Sequence, residues 1–205
     1  MLNKFFCTLV LLFFLQFTHA QNVPGYLGKK AFAEYQLNSP LLFYLGDAGS
    51  SFMHEIKFNY VARRRGVFGI GFETYSFEGT TNEPNRFVNY TSTIKGNSLN
   101  LHYDLYIRNS IAPVGSYVRF EFKYLFGEFD DITTSPFGSS ESGKYSIPHV
   151  NLGYGIRRIF FDFIVFNVGG SVGANNTSFD PIGYEQLLQK SFVFRLNIGA
   201  GILLF

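Results

Sequence analysis

VRFEFKY, Val118–Tyr124, alternates apolar and charged residues one by one. In a strand, successive side chains point to opposite faces. One face of this segment is then Val118, Phe120, Phe122 and Tyr124, and the other is Arg119, Glu121 and Lys123. The fold turns on which face is buried, and in what medium.

The same period of two recurs along the chain, and helical spacing explains none of the segments as well. It predicts eight strands: Lys29–Asn38, His54–Arg63, Val67–Phe77, Asn97–Arg108, Val114–Gly127, Tyr145–Arg157, Phe160–Gly173 and Lys190–Phe205. In the second, Ile56, Phe58, Tyr60 and Ala62 oppose Glu55, Lys57, Asn59 and Arg63. In the fourth, Leu99, Leu101, Tyr103, Leu105 and Ile107 oppose Asn100, His102, Asp104 and Tyr106. In the sixth, Val150, Leu152, Tyr154 and Ile156 oppose His149, Asn151, Gly153 and Gly155.

The connections alternate in length. Arg64-Arg65-Gly66, Asn109–Pro113 and Arg158-Ile159 are tight. Ser39–Met53, Glu78–Gly96, Glu128–Lys144 and Ala174–Gln189 are long and polar. Short turns at one end and long loops at the other are the layout of a bacterial outer-membrane barrel. The expected fold is therefore all-β, an eight-stranded antiparallel transmembrane up-and-down β-barrel. A soluble barrel would put the apolar faces inside. Those faces are crowded with Phe and Tyr, too bulky for a narrow eight-stranded interior. The opposite faces hold Gly and Asn among the charges, as a crowded lumen would. In lipid a sheet must close on itself, because unpaired amides cost several kcal/mol each, of the order of a lost hydrogen bond in hydrocarbon. The Phe-rich face then meets lipid, and the charged face turns inward.

Met1–Ala20, MLNKFFCTLVLLFFLQFTHA, has one Lys, an apolar run and a small-residue end. It reads as a secretory signal peptide cleaved after Ala20, with residues 21–205 forming the barrel domain. The single cysteine, Cys7, lies in this segment. Without it, the remaining chain has no disulfide framework, thiolate metal site or Cys nucleophile. Formal net charge is +2, so nothing in the balance points to nucleic acid.

The chain resembles the eight-stranded OmpA/OmpX-like outer-membrane proteins. The resemblance rests on the leader, the eight alternating strands, the alternating loop lengths and the terminal Phe205. The Ala20-Gln21 junction and VPGYLGKK, Val23–Lys30, are similar to the start of many Bacteroidetes outer-membrane proteins. The resemblance implies a porin-like barrel in the bacterial outer membrane, in contact with its lipids. It also implies partnership with the barrel-assembly machinery, for which Leu203 and Phe205 match the C-terminal signal. Gly201, Gly199 and Asn197 do not continue that signal. The apolar register of the last strand is instead Phe192, Phe194, Leu196, Ile198, Ala200, Ile202 and Leu204. Either a bulge near Gly199–Gly201 shifts the strand, or Phe205 lies off the lipid face.

The inward face supplies the candidate site, a lumen charge network of Glu55, Lys57, Glu73, Asn100, His102, Asp104, Arg119, Glu121, Lys123 and His149. Centring the tight turns sets Lys57 opposite Glu73, His102 opposite Arg119 and Asn100 opposite Glu121. Charges in such an interior must pair. They form either a plug or the lining of a narrow ion or solute channel. A lipid-modifying enzyme is a third reading. Asp47, Ser51 and His54 form the grouping it would use, and no catalytic residue, cofactor or metal is assigned. Gly69-Ile-Gly71 and Gly153-Tyr-Gly155 sit inside strands and relieve crowding there. Arg63–Arg65 and Arg157-Arg158 read as solvated turn residues, within reach of headgroups or periplasmic partners. The long loops, with Phe43, Tyr44, Phe87, Tyr90, Phe129, Phe137, Phe179 and Tyr184, suit an extracellular ligand. A structural or adhesive role follows, and no loop motif names the ligand.

Overall fold

The computed structural model describes residues 26–40, 53–83, 88–107, 110–134, 140–175 and 193–205. Eight strands follow in order: β1 (Ala31–Pro40), β2 (Met53–Arg63), β3 (Gly66–Glu83), β4 (Val88–Tyr106), β5 (Gly115–Thr134), β6 (Ser140–Phe160), β7 (Ile164–Asn175) and β8 (Val193–Leu203). Each pairs antiparallel with its neighbours in sequence, and β1 pairs with β8 to close the barrel. This is an up-and-down barrel with no free edge around its waist.

The faces fall as alternation requires. Phe120, Phe122 and Tyr124 stand outside, with Phe120 53% exposed, while Arg119, Glu121 and Lys123 are buried. Outward rows from Ile56, Ile70, Leu99, Leu152, Val168 and Ile198 continue the apolar belt around the wall. A monomer in water rarely shows so large a contiguous apolar surface, whereas hydrocarbon solvates it without penalty. This is the exterior of a transmembrane barrel.

Four readings of the sequence are corrected. First, Glu78–Gly96 and Glu128–Lys144 are not loops through most of their length. β3 with β4, and β5 with β6, stay paired out to Glu83↔Val88 and Ile132↔Ser140. Beyond the belt neither face meets lipid, so the alternation that marks a strand disappears while the ladder continues. Phe129, read as a loop aromatic, is buried within β5.

Second, the hairpin registers move by two residues. Glu55, not Lys57, lies opposite Glu73: the turn is centred between Arg64 and Arg65, and a bulge at Ala62, between Val61 and Arg63, moves the ladder one residue further. The bulge also buries Ala62 and leaves Arg63 outside. The next hairpin is centred between Ile111 and Ala112, so Asp104 faces Arg119, His102 faces Glu121 and Asn100 faces Lys123.

Third, the β6–β7 connection is Phe161-Asp162-Phe163 rather than Arg158-Ile159. Phe161 and Asp162 have φ of 53° and 62°, the left-handed pair of a tight hairpin turn. Fourth, Arg157 is no turn residue: it is fully buried in the lumen.

The last strand has no bulge. Phe32↔Leu203 and Ile164↔Ile202 continue in unbroken register back to Arg195 on both sides. Leu203 therefore points inside, where it is buried. Phe205 lies just past β8, 77% exposed, and its carbonyl accepts the amides of Lys30 and Ala31.

Candidate functional site

The candidate site is the lumen, a stack with apolar ends and an ionic middle. At the turn end, Phe32, Val61, Val67, Tyr106, Tyr117 and Leu203 pack into one buried cluster. At the other end Met53, Tyr75, Ile94, Leu125, Phe129, Tyr145 and Ile147 form a second. There the Tyr145 hydroxyl donates to that of Tyr75 at 2.8 Å.

Between these plugs lie two ionic layers. In the lower, Arg119 grips Asp104 with two bonds, Nε to Oδ1 at 2.6 Å and Nη2 to Oδ2 at 2.9 Å. Arg157 holds Glu34 in the same way, at 2.8 and 3.0 Å, and reaches Asp104 at 3.2 Å. Its third nitrogen donates to the Tyr106 hydroxyl, which in turn donates to the Pro113 carbonyl at 3.0 Å. The Arg157 guanidinium also stacks between Phe32, at 4.7 Å, and Tyr117, at 4.9 Å. Bidentate geometry of this kind is what makes a buried pair hold.

In the upper layer Glu73 is the hub. It accepts from Asn38 at 2.8 Å, Ser98 at 3.0 Å and Lys123 at 3.1 Å. Lys123 also lies 3.5 Å from Glu55 and 3.7 Å from Glu121. Lys57 bridges Glu55 at 3.1 Å and Glu121 at 3.3 Å. Asn100 donates to Glu55, and Asn151 to Glu121 at 2.9 Å. His102 donates from Nε2 to Asn59 Oδ1 at 2.8 Å.

All ten residues singled out in the sequence thus lie inside the barrel. His149 is buried there too, with neither ring nitrogen hydrogen-bonded among the described residues. Three further charges complete the set, Glu34, Arg157 and Arg195, the last 3.8 Å from Glu73. Glu34 and Arg195 stood on the unread inward faces of the first and last strands. Arg157 shares the parity of Gly153 and Gly155, which was the signal for it.

Among the described residues the buried carboxylates are Glu34, Glu55, Glu73, Asp104 and Glu121. The buried cations are Lys57, Arg119, Lys123, Arg157 and Arg195, an equal number. A neutral, mutually paired interior is what a low-dielectric lumen requires.

The opposite wall, β6 to β8, is lined by small residues that leave room for these side chains. A Cβ on Gly155 of β6 would fall 2.5 Å from the Tyr117 hydroxyl, and one on Gly199 of β8 2.6 Å from Gln36 Cγ; on β3, one on Gly69 would fall 2.3 Å from the His102 ring. The remaining space beside Ser171, Arg195 and Asn197 is a cavity of about 10 Å³. That holds roughly one water.

The grouping Asp47, Ser51 and His54 is only partly visible. Asp47 and Ser51 lie outside the described residues, as do Phe43, Tyr44, Phe87, Phe137, Phe179 and Tyr184. His54 sits on the outer wall, its Nδ1 2.5 Å from the Tyr35 hydroxyl. At the turn end Tyr26 donates to Asp162 at 3.1 Å, and that bond with the adjacent negative charge holds the phenol above its ordinary pKa.

No family model matches the sequence, and no curated protein does. Among solved structures, the chain is similar to the N-terminal β-barrel domain of Pseudomonas aeruginosa OprF, with TM-score 0.46 and 11% identity over 85% of this chain and 96% of that one. It is also similar to Ail, the attachment invasion locus protein of Yersinia pestis, with TM-score 0.41 and 12% identity over 85% and 96%. Neisserial surface protein A gives TM-score 0.37 and 12% identity over 85% and 95%. At such identities nothing about binding or activity carries across.

Proposed function

We propose that this chain is an integral protein of the bacterial outer membrane whose barrel is a closed scaffold and whose binding is done outside it. Met1–Ala20 serves as the cleaved signal, and Leu203 and Phe205 serve the barrel-assembly machinery during insertion. The apolar belt supports the membrane location. The two apolar plugs and the paired ionic stack support a lumen that does not conduct.

One observation carries the binding role. β3 to β6 continue well past their neighbours. β2 pairs with β3 no further than Thr74, and β7 with β6 no further than His149. Beyond Thr74 on β3 and His149 on β6, each strand therefore has a ladder neighbour on one side only among the described residues, over about 30 Å at ~3.3 Å per residue. A sheet of four strands rises above the belt, and among the described residues its outer strands, β3 and β6, have no second ladder neighbour there. Such an edge takes an extended segment of a partner by strand addition.

The test has two parts. The protein in an outer-membrane fraction should migrate compactly on a detergent gel until boiled, and be silent in a planar bilayer. Cells carrying it should bind members of an arrayed peptide and glycan library. That binding should vanish when both hairpins are cut back to Tyr75–Gly96 and Gly127–Tyr145, with the heat shift retained. Binding that survives the shortening refutes the role of the sheet, and steady conductance refutes the closed lumen.

A further inference from the structure

The lumen balances its charges, but the two ends of the molecule do not. The turn end carries Lys29, Lys30, Arg63, Arg64, Arg65 and Arg158. The acid described there is Asp162, whose carboxylate already accepts the Tyr26 hydroxyl. The segments 76–83, 88–96, 127–134 and 140–147 at the other end carry six acidic residues against Lys95 and Lys144.

The basic groups are placed, not scattered. The carbonyls of Arg64 and Arg65 accept the amides of Ala112 at 2.9 Å and Tyr106 at 2.8 Å. The next hairpin thus fixes this turn, and both arginine side chains are left exposed. Lys30 is tied to the same corner through its carbonyl, which accepts the Val61 amide at 2.7 Å. The bulge at Ala62 throws Arg63 onto the outer flank, where it is exposed. Four strands away, Arg158 holds the outward parity of Ile156 and Phe160 and lies across from Phe166 on β7. It is an exposed guanidinium on the lipid side of the wall, and it has no acidic partner among the described residues.

Resting on the membrane reading above, we propose that this collar binds the phosphates of anionic phospholipids in the periplasmic leaflet, with Arg63 and Arg158 as its two gripping points on opposite sides of the barrel. Both stand on the outer flank near the turn end of their strands, Arg63 beyond Tyr60 on β2 and Arg158 between Ile156 and Phe160 on β6. Headgroups ring the barrel at that height, and long basic side chains reach them while their stems stay on apolar surface. An anionic cell-wall polymer would approach from below and meet the turn tips, Arg64 and Arg65, instead. The acidic sheet at the far end is repelled by the same headgroups, so the charge asymmetry also fixes which end faces which leaflet.

The experiment uses protein purified from the membrane and reconstituted into phosphatidylcholine vesicles, with and without phosphatidylglycerol. The heat shift on a gel reports insertion, and spin-labelled lipids report selectivity at the barrel surface. The expected result is a heat shift in both vesicles and a preference for phosphatidylglycerol that salt weakens. That preference should fall about fivefold for each of R63Q and R158Q, the single variants serving if the double does not fold. R64Q and R65Q should change it less. Equal selectivity for the two lipids, an unchanged preference in both flank variants, or a loss confined to R64Q and R65Q overturns the proposal. Absence of a heat shift in either vesicle overturns the membrane reading itself, and the collar with it.

Discussion

Replacing Arg157 with leucine removes the cation that satisfies Glu34. In the protein, Glu34 takes two bonds from Arg157 and one, at 3.3 Å, from Asn59. Asp104 would keep its bidentate partner Arg119, but Glu34 would be a buried carboxylate with the Asn59 amide as its one remaining partner among the described residues. Breaking one partner from a buried pair costs about 3–5 kcal/mol. The lost stacking on Phe32 and Tyr117 adds roughly 1 kcal/mol, which leucine packing partly offsets. With a urea slope of ~2–3 kcal/mol per molar, the unfolding midpoint should fall by about 1–2 M. The assay is urea titration of the protein folded in vesicles, read as the folded fraction on an unboiled gel. The double variant E34L/R157L removes both charges and should recover most of the loss, since an apolar pair of similar volume is often neutral or better. R158L, one residue on but exposed, should shift the midpoint little. A loss under ~1 kcal/mol for R157L, or a double variant no better than the single, would show that the stack is not held by pairing.

Three other outcomes are expected. A Cβ at Gly201 would sit 2.0 Å from the Ala33 carbonyl oxygen across the β1–β8 seam, whereas at Gly170 the nearest atom is 3.3 Å away. G201A should therefore cost about 1–3 kcal/mol and G170A much less, by the same titration. F122R places a charge in the middle of the apolar belt and should cost roughly 2–4 kcal/mol, while I111R, at a turn, should cost about 0–1; equal costs would argue against a lipid exterior. F205S should lower the amount of heat-shifting protein in the membrane without moving the midpoint of what has folded, and normal insertion would remove Phe205 from the assembly signal.

The parts of the fold legible in the sequence are those where one face met lipid and the other met side chains. Val118–Tyr124 and Asn97–Tyr106 declare both faces because their surroundings differ so sharply. Where the surroundings converge, the signal fades. Gly79–Glu83 and Val88–Ser92 extend β3 and β4, yet their Thr, Ser and Asn read as loop. Registers differ because a bulge residue such as Ala62 looks like any other strand residue, and because the centre of a turn such as that between Ile111 and Ala112 carries no mark in the sequence. The Phe161-Asp162 turn was missed for a related reason: its left-handed backbone is normally announced by Asn-Gly, and here a phenylalanine adopts it. In the site, the members of the network were readable from parity, but the partners were not. Lys57 meets Glu55 and Glu121 rather than Glu73, and Arg157 was masked by the basic neighbour that follows it.

The seam between β1 and β8 joins Phe32 to Leu203 and Pro40 to Arg195. Every other strand pair joins neighbours in sequence, so each can form as soon as its hairpin is made. This one needs residues at nearly opposite ends of the described chain, and contacts of such long range are slow to find. Until β8 arrives, β1 and β7 each present a bare ladder edge, ready to pair with another copy. The time between synthesis and closure is therefore the vulnerable period of this molecule. A variant that weakens the seam, even one with little effect on the finished barrel, should reveal itself as strand-exchanged aggregates.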